Sequence, residues 1–146
     1  MPRSLETIVR DLNALTAEEF DDRTPAARGI ERLDEICDDV LNLPVPSAAF
    51  PEFFRLMERL SDSELGTPGS LVHTMEKHAG SYEDLLAASV SRKPTALTVW
   101  MVNRILTDPT KDRDKWMEVL TVAVDHPAAA QVTREQARRF IAFRQK

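Results

Sequence analysis

The chain has 146 residues, 42 % of them hydrophobic and 29 % charged, and a formal charge of −5. That length can bury one ordinary core without metal or disulfide staples, and the balance of residue types excludes a disordered or fibrous chain. The single cysteine, Cys37, excludes an internal disulfide, and no window reaches the run of roughly 18 apolar residues that a membrane helix needs.

The charge is unevenly spread. Residues 1–66 hold 15 Asp and Glu against 7 Arg and no Lys, a net of −8, whereas residues 67–146 hold 9 acids against 12 bases, a net of +3. A nucleic-acid binder carries a basic stripe. The acidic front part instead repels phosphates and attracts a basic partner. The opening "MPRSLETIVRDL" has no apolar stretch of signal-peptide length, so the expected location is the cytoplasm, with neither nucleic acid nor membrane as partner.

Every periodic segment reads as helix. Ser4 is placed to cap a first helix with Leu5, Ile8, Val9, Leu12 and Leu15 at helical spacing. "TAEEF" offers a capping box, Thr16 with Glu19. Thr24 followed by Pro25 signals the start of a helix that buries Ile30, Leu33, Ile36, Cys37, Val40 and Leu41, and "NLPVP" stops it. Pro51 opens a helix carrying Phe50, Phe53, Phe54, Met57 and Leu60. Pro68 starts a short one with Leu71, Val72 and Met75, closed by Gly80 in left-handed geometry. Ser81 with Asp84 is placed as the next capping box, before Tyr82, Leu85, Leu86 and Val90. Pro94 opens and Asp108-Pro109 closes an apolar helix. A helix with Trp116, Val119, Leu120 and Ala123 follows, and Thr133 with Gln136 is the expected cap of a last helix bearing Ala137, Phe140 and Ile141.

No run alternates with period two, so strands are not expected. The helix pairs ending at Lys93-Pro94 and His126-Pro127 are 33 residues apart, and at the same offset Leu86 matches Val119 and Val90 matches Ala123. This spacing suits stacked helical hairpins of the HEAT kind. The expected fold is therefore all-α, with about 7–8 helices in a HEAT-like α-solenoid or an irregular bundle. One domain is expected over residues 1–146, with 1–66 acidic and 67–146 more regular. Leu97, Val99, Trp100, Met101, Val102, Ile105 and Leu106 make one helix apolar nearly all round, which predicts a place in the middle of the stack.

Residues for catalysis are lacking. The chain has no G-x-S-x-G, no H-E-x-x-H and no cysteine pair, and Cys37 falls at a core position. His73 and His78 diverge by about 140° on a helix. No enzyme activity, metal or cofactor is expected.

The informative stretch is "GIERLDEICDDVLN". At about 100° per residue, Glu31, Asp34, Glu35, Asp38 and Asp39 fall within an arc of about 140°, opposite the apolar set. Nearby, "EEFDD" adds Glu18, Glu19, Asp21 and Asp22. A solvated face is one reading of these acids. The other is a docking surface for a basic protein, in which charge pairs couple by roughly 1.5–7 kcal/mol.

Across "GTPGSLVHTMEKHAGSYEDLLAASVSRKPTALTVWMVNRILTD" the chain resembles a group of small all-helical bacterial immunity proteins. These are paired with polymorphic or contact-dependent toxins, including the Rhs type. The resemblance rests on "PGSLVHTMEK", on the run from Tyr82 to Thr95, and on "TVWMVNRIL". It implies a HEAT-like protein without cofactor that binds a cognate toxin and masks its active site or its access to substrate; the oligomeric state is open, with a monomer favoured. The alternatives are a helical-repeat adaptor and, more distantly, a small-molecule binder using Trp100 and Tyr82.

Overall fold

The computed structural model describes residues 3–25 and 27–145. Among these residues it has eight α-helices, two short 3-10 turns and no strand, which is the all-α fold expected. None of the described helices is long and apolar enough to cross a membrane. The chain forms two compact units, Met1–Glu83 and Asp84–Lys146.

In the first unit, α1 (Leu5–Ala14) is capped by Ser4, whose Oγ accepts the Thr7 N–H at 3.2 Å. Ile8, Leu12 and Leu15 are buried. A 3-10 turn at Ala17–Phe20 begins at the expected capping residue, with the Glu19 carboxylate accepting from the Thr16 N–H at 2.8 Å. Next come α2 (Gly29–Leu41), a second 3-10 turn (Pro46–Ala49), α3 (Phe50–Arg59) and α4 (Gly69–Glu76). α2 packs on α1, on α4 and on both 3-10 turns, while α3 packs on α1. Arg59 ties α3 to α1 by donating to the Leu15 carbonyl at 2.7 Å and the Leu12 carbonyl at 3.0 Å. Both lie at the C-terminal end of α1, where helix carbonyls lack i+4 partners; among the described residues the Leu12 carbonyl otherwise accepts only from the Leu15 N–H, at 3.3 Å.

One helix start and one helix end differ from the sequence reading. Thr24-Pro25 does not open α2; residues 21–25 form turns, with the Thr24 N–H bonded to the Asp21 carbonyl at 2.9 Å. α2 begins at Gly29 because its backbone passes under the first 3-10 turn. A Cβ there would lie 2.6 Å from the Glu19 carbonyl oxygen and 2.7 Å from the Phe20 ring. Gly80 has the expected left-handed φ of 97°. However, α4 already stops at Glu76, and the Gly80 and Tyr82 N–H groups are held by the Glu83 carboxylate at 2.9 and 3.2 Å.

The second unit is built from α5 (Glu83–Arg92, which begins at the boundary), α6 (Ala96–Ile105), α7 (Arg113–Val124) and α8 (Gln131–Arg144). Thr95 caps α6 and Asp112 caps α7. α6, α7 and α8 pack against one another. At their starts α5 and α7 are linked by Lys115 Nζ, 3.7 Å from the Asp84 carboxylate; at their ends the His126 ring meets the Ser91 carbonyl at 2.7 Å. The two helices therefore run in the same direction. The ends of α6 and α8 are joined by Arg144, which donates to the Asn103 side-chain and backbone oxygens at 3.0 and 3.1 Å. The 33-residue offset thus corresponds to α5 and α7 meeting through polar contacts at both ends.

Two expectations in this unit need correction. Thr133 does not cap α8. It lies buried inside the first turn, because Arg134 folds back on the His126 and Ala129 carbonyls at 3.2 and 2.9 Å and lets the helix begin at Gln131. α6 is also not enclosed on all sides: Thr98, Val99, Met101, Val102 and Ile105 are buried, but Leu97 and Trp100 are only half-buried and Arg104 is exposed.

Gly29→Ala tests the packing of α2 under the turn. Alanine gains about 1 kcal/mol of helix propensity. A clash with a backbone oxygen outweighs this, so urea denaturation is expected to show a net loss of about 1–2 kcal/mol. An unchanged or raised midpoint would show that the turn yields freely.

Candidate functional site

α2 has two chemically opposite faces. Leu33, Ile36, Cys37 and Val40 are buried. On the other side Glu31, Asp34, Glu35 and Asp38 are exposed and Asp39 is half-buried, so the fold brings all five predicted carboxylates to one outer face. Ile30 departs from the reading. It is 43 % exposed, because Gly29, and not Ile30, takes the place beneath the 3-10 turn. It stands as an apolar edge beside the acids, with half-buried Leu41 three turns further on.

Three of the five carboxylates have partners within the chain. Glu31 accepts from Arg28 at 2.6 Å, Asp34 from the Ser70 hydroxyl, and Asp39 from Arg3 at 3.0 Å. Arg3 also pairs with Asp11. The carboxylates of Glu35 and Asp38 make no hydrogen bond or ion pair among the described residues. The Glu31 and Arg28 side chains are 62 % and 65 % exposed. Exposed pairs of this kind are screened by solvent and add little to stability, so an incoming guanidinium or ammonium can replace them at little cost.

The second acidic cluster serves the local fold. Burial raises the Glu19 carboxyl, but the Thr16 N–H and the Arg32 guanidinium outweigh it and hold the group below its ordinary value. The Asp21 carboxyl is likewise lowered, by the side chain and N–H of Arg23. Glu18 and Asp22 remain exposed. A cavity of about 330 Å³ opens here, lined among others by Thr16, Glu18, Glu19, Arg28 and Arg32. Its two arginines are already matched by Glu31 and Glu19.

Cys37 is buried, and burial pushes its thiol up to about 12; Asp34 and Asp38 push the same way, while a hydrogen bond with Thr74 opposes them. A thiol in that state is not a nucleophile near neutral pH. His73 is exposed, His78 rests against the Phe50 ring at 6.1 Å, and no group of three metal-ligating side chains occurs among the described residues. Tyr82 is buried, and the Arg104 guanidinium lies 5.6 Å from the centre of the half-buried Trp100 ring.

The periodicity revealed the acidic face but not its internal partners. The Arg28–Glu31 pair is readable from i,i+3 spacing. Arg3 and Asp39, 36 positions apart, leave no local signal. Compared with protein families, curated proteins and solved structures, the chain finds no match.

Two outcomes follow for Cys37. Thiol reagents at pH 8 are expected to label it only after denaturation, as a colorimetric thiol assay would show. Since the folded thiol keeps its proton to about 12, from an ordinary value of 9.0, stability should fall as pH rises between those values. Cys37→Ala should flatten that fall in alkaline melts; an identical profile would place the alkaline loss elsewhere.

Proposed function

We propose that the chain is an immunity protein that binds a cognate bacterial toxin through the acidic outer face of α2. The observation that carries this is the grouping of Glu31, Asp34, Glu35, Asp38 and Asp39 on one solvent-facing side, with the carboxylates of Glu35 and Asp38 in no hydrogen bond or ion pair among the described residues. A toxin that acts on nucleic acid has a basic cleft for phosphates. A row of carboxylates imitates that phosphate charge, covers the cleft and excludes the substrate. The resemblance of residues 66–108 to Rhs-type immunity proteins supports the same reading. The mechanism needs no catalysis, metal or cofactor. It acts in the cytoplasm of the toxin-producing cell.

Like charges at the i,i+4 pairs Glu31–Glu35 and Asp34–Asp38 cost an isolated helix about 0.2–0.5 kcal/mol each. Charge pairs across a desolvated interface couple by roughly 1.5–7 kcal/mol. Binding therefore gains much more than the free chain loses.

The second reading is a helical-repeat adaptor, favoured by the shared direction of α5 and α7. Co-expression separates the two. If the protein encoded beside this gene is a toxin, its induction should arrest growth, and this chain should restore growth and be pulled down with it. The triple variant Asp34→Lys, Glu35→Lys, Asp38→Lys should lose protection and weaken binding by about 100-fold or more, on the scale of such couplings. Unchanged affinity in the triple variant would remove α2 from the interface, and no rescue by the wild type would favour the adaptor.

A further inference from the structure

Among the described residues, the large apolar side chains most open to solvent are Phe143, at 66 %, and Val132, at 63 %. Both are on α8, 11 residues apart. At about 100° per residue they fall within about 20° of each other, and Arg139 lies beside them on the same stripe. Arg139 is exposed and makes no hydrogen bond or ion pair among the described residues. Glu135, the acid nearest this stripe, is held by the Gln131 amide at 3.1 Å. The outer face of α8 is thus apolar, then cationic, then apolar.

α2 carries the complementary series at the same spacing. Ile30 and Leu41 are also 11 residues apart, with Asp34 between them. Four residues separate Ile30 from Asp34, and four separate Arg139 from Phe143. Laid antiparallel, α8 sets Phe143 on Ile30, Arg139 on Asp34 and Val132 on Leu41, over about 16 Å of helix. An antiparallel pairing also opposes the two helix dipoles.

We propose that the outer stripe of α8 is a docking surface for the acidic face of α2 in a second copy of this chain. The net charges agree, −9 for the unit carrying α2 and +4 for the unit carrying α8. One helix pair buries less than a standard interface, so the association is weak and the dilute chain is a monomer. The contact uses the face assigned above to the toxin, so toxin and second copy compete for it. The self-association itself does not rest on that assignment.

Sedimentation velocity over about 10 μM to 1 mM at low and high salt tests this, a span suited to small, charge-dependent interfaces. The weight-average mass should rise above 16.5 kDa with concentration at low salt and return to it at high salt. Arg139→Glu and Asp34→Arg should each weaken association by about tenfold or more. Mixed together, the two variants should associate again, because the pair retains one native Arg139–Asp34 contact. A mass of 16.5 kDa at every concentration overturns the proposal, as does association unaffected by either variant or not restored by mixing. Arg139→Glu leaves α2 intact, so its binding to the cognate toxin reports separately on the immunity reading.

Discussion

The packing of α2 is the constraint on which the first unit depends. Its inner face meets α1, α4 and both 3-10 turns, and Gly29 lets its first turn pass beneath Phe20. Leu33, Ile36, Cys37 and Val40 fill that side. Burial of a large aliphatic side chain is worth about 1.5–3 kcal/mol, which exceeds the repulsion among the outer carboxylates by a wide margin. The helix can therefore present five acids to solvent without loss of order. A face fixed in this way also binds with little additional ordering entropy, which favours a rigid charged surface over a flexible acidic tail.

The second unit follows a simpler rule. α5 and α7 share a direction, α6 and α8 share another, and polar contacts at the helix ends set the register. Asp84–Lys115, Ser91–His126 and Asn103–Arg144 are all such contacts. The acidic unit thus offers a charged helix face, while the basic unit offers a stripe of apolar residues around Arg139. Electrostatics of this kind governs association rate and salt sensitivity more than fold.

Much of this was legible in the sequence because helical spacing and capping chemistry are local. The apolar positions of α1 and α3, the Ser4 cap and the Thr16–Glu19 pairing were all readable from neighbours within four residues. The sequence misleads where a distant contact decides. Thr24-Pro25 has the form of a helix start, yet α2 begins only at Gly29, where the backbone closely approaches Glu19 and Phe20. Thr133 has the form of a cap, yet Arg134 binds the preceding carbonyls and moves the start to Gln131. The acidic face was readable as a periodic pattern. Its compensation by Arg3 and Ser70 was not, since those partners sit 36 positions from Asp39 and Asp34.

The central claim is that a basic protein binds the outer face of α2. The most direct measurement is a residue-by-residue NMR titration of the labelled chain with the protein encoded beside its gene, at low and high salt. The account predicts that the largest shift changes fall on Glu31 to Asp39 and shrink as salt rises. Unmoved α2 signals, with the footprint on α6 to α8, would contradict it.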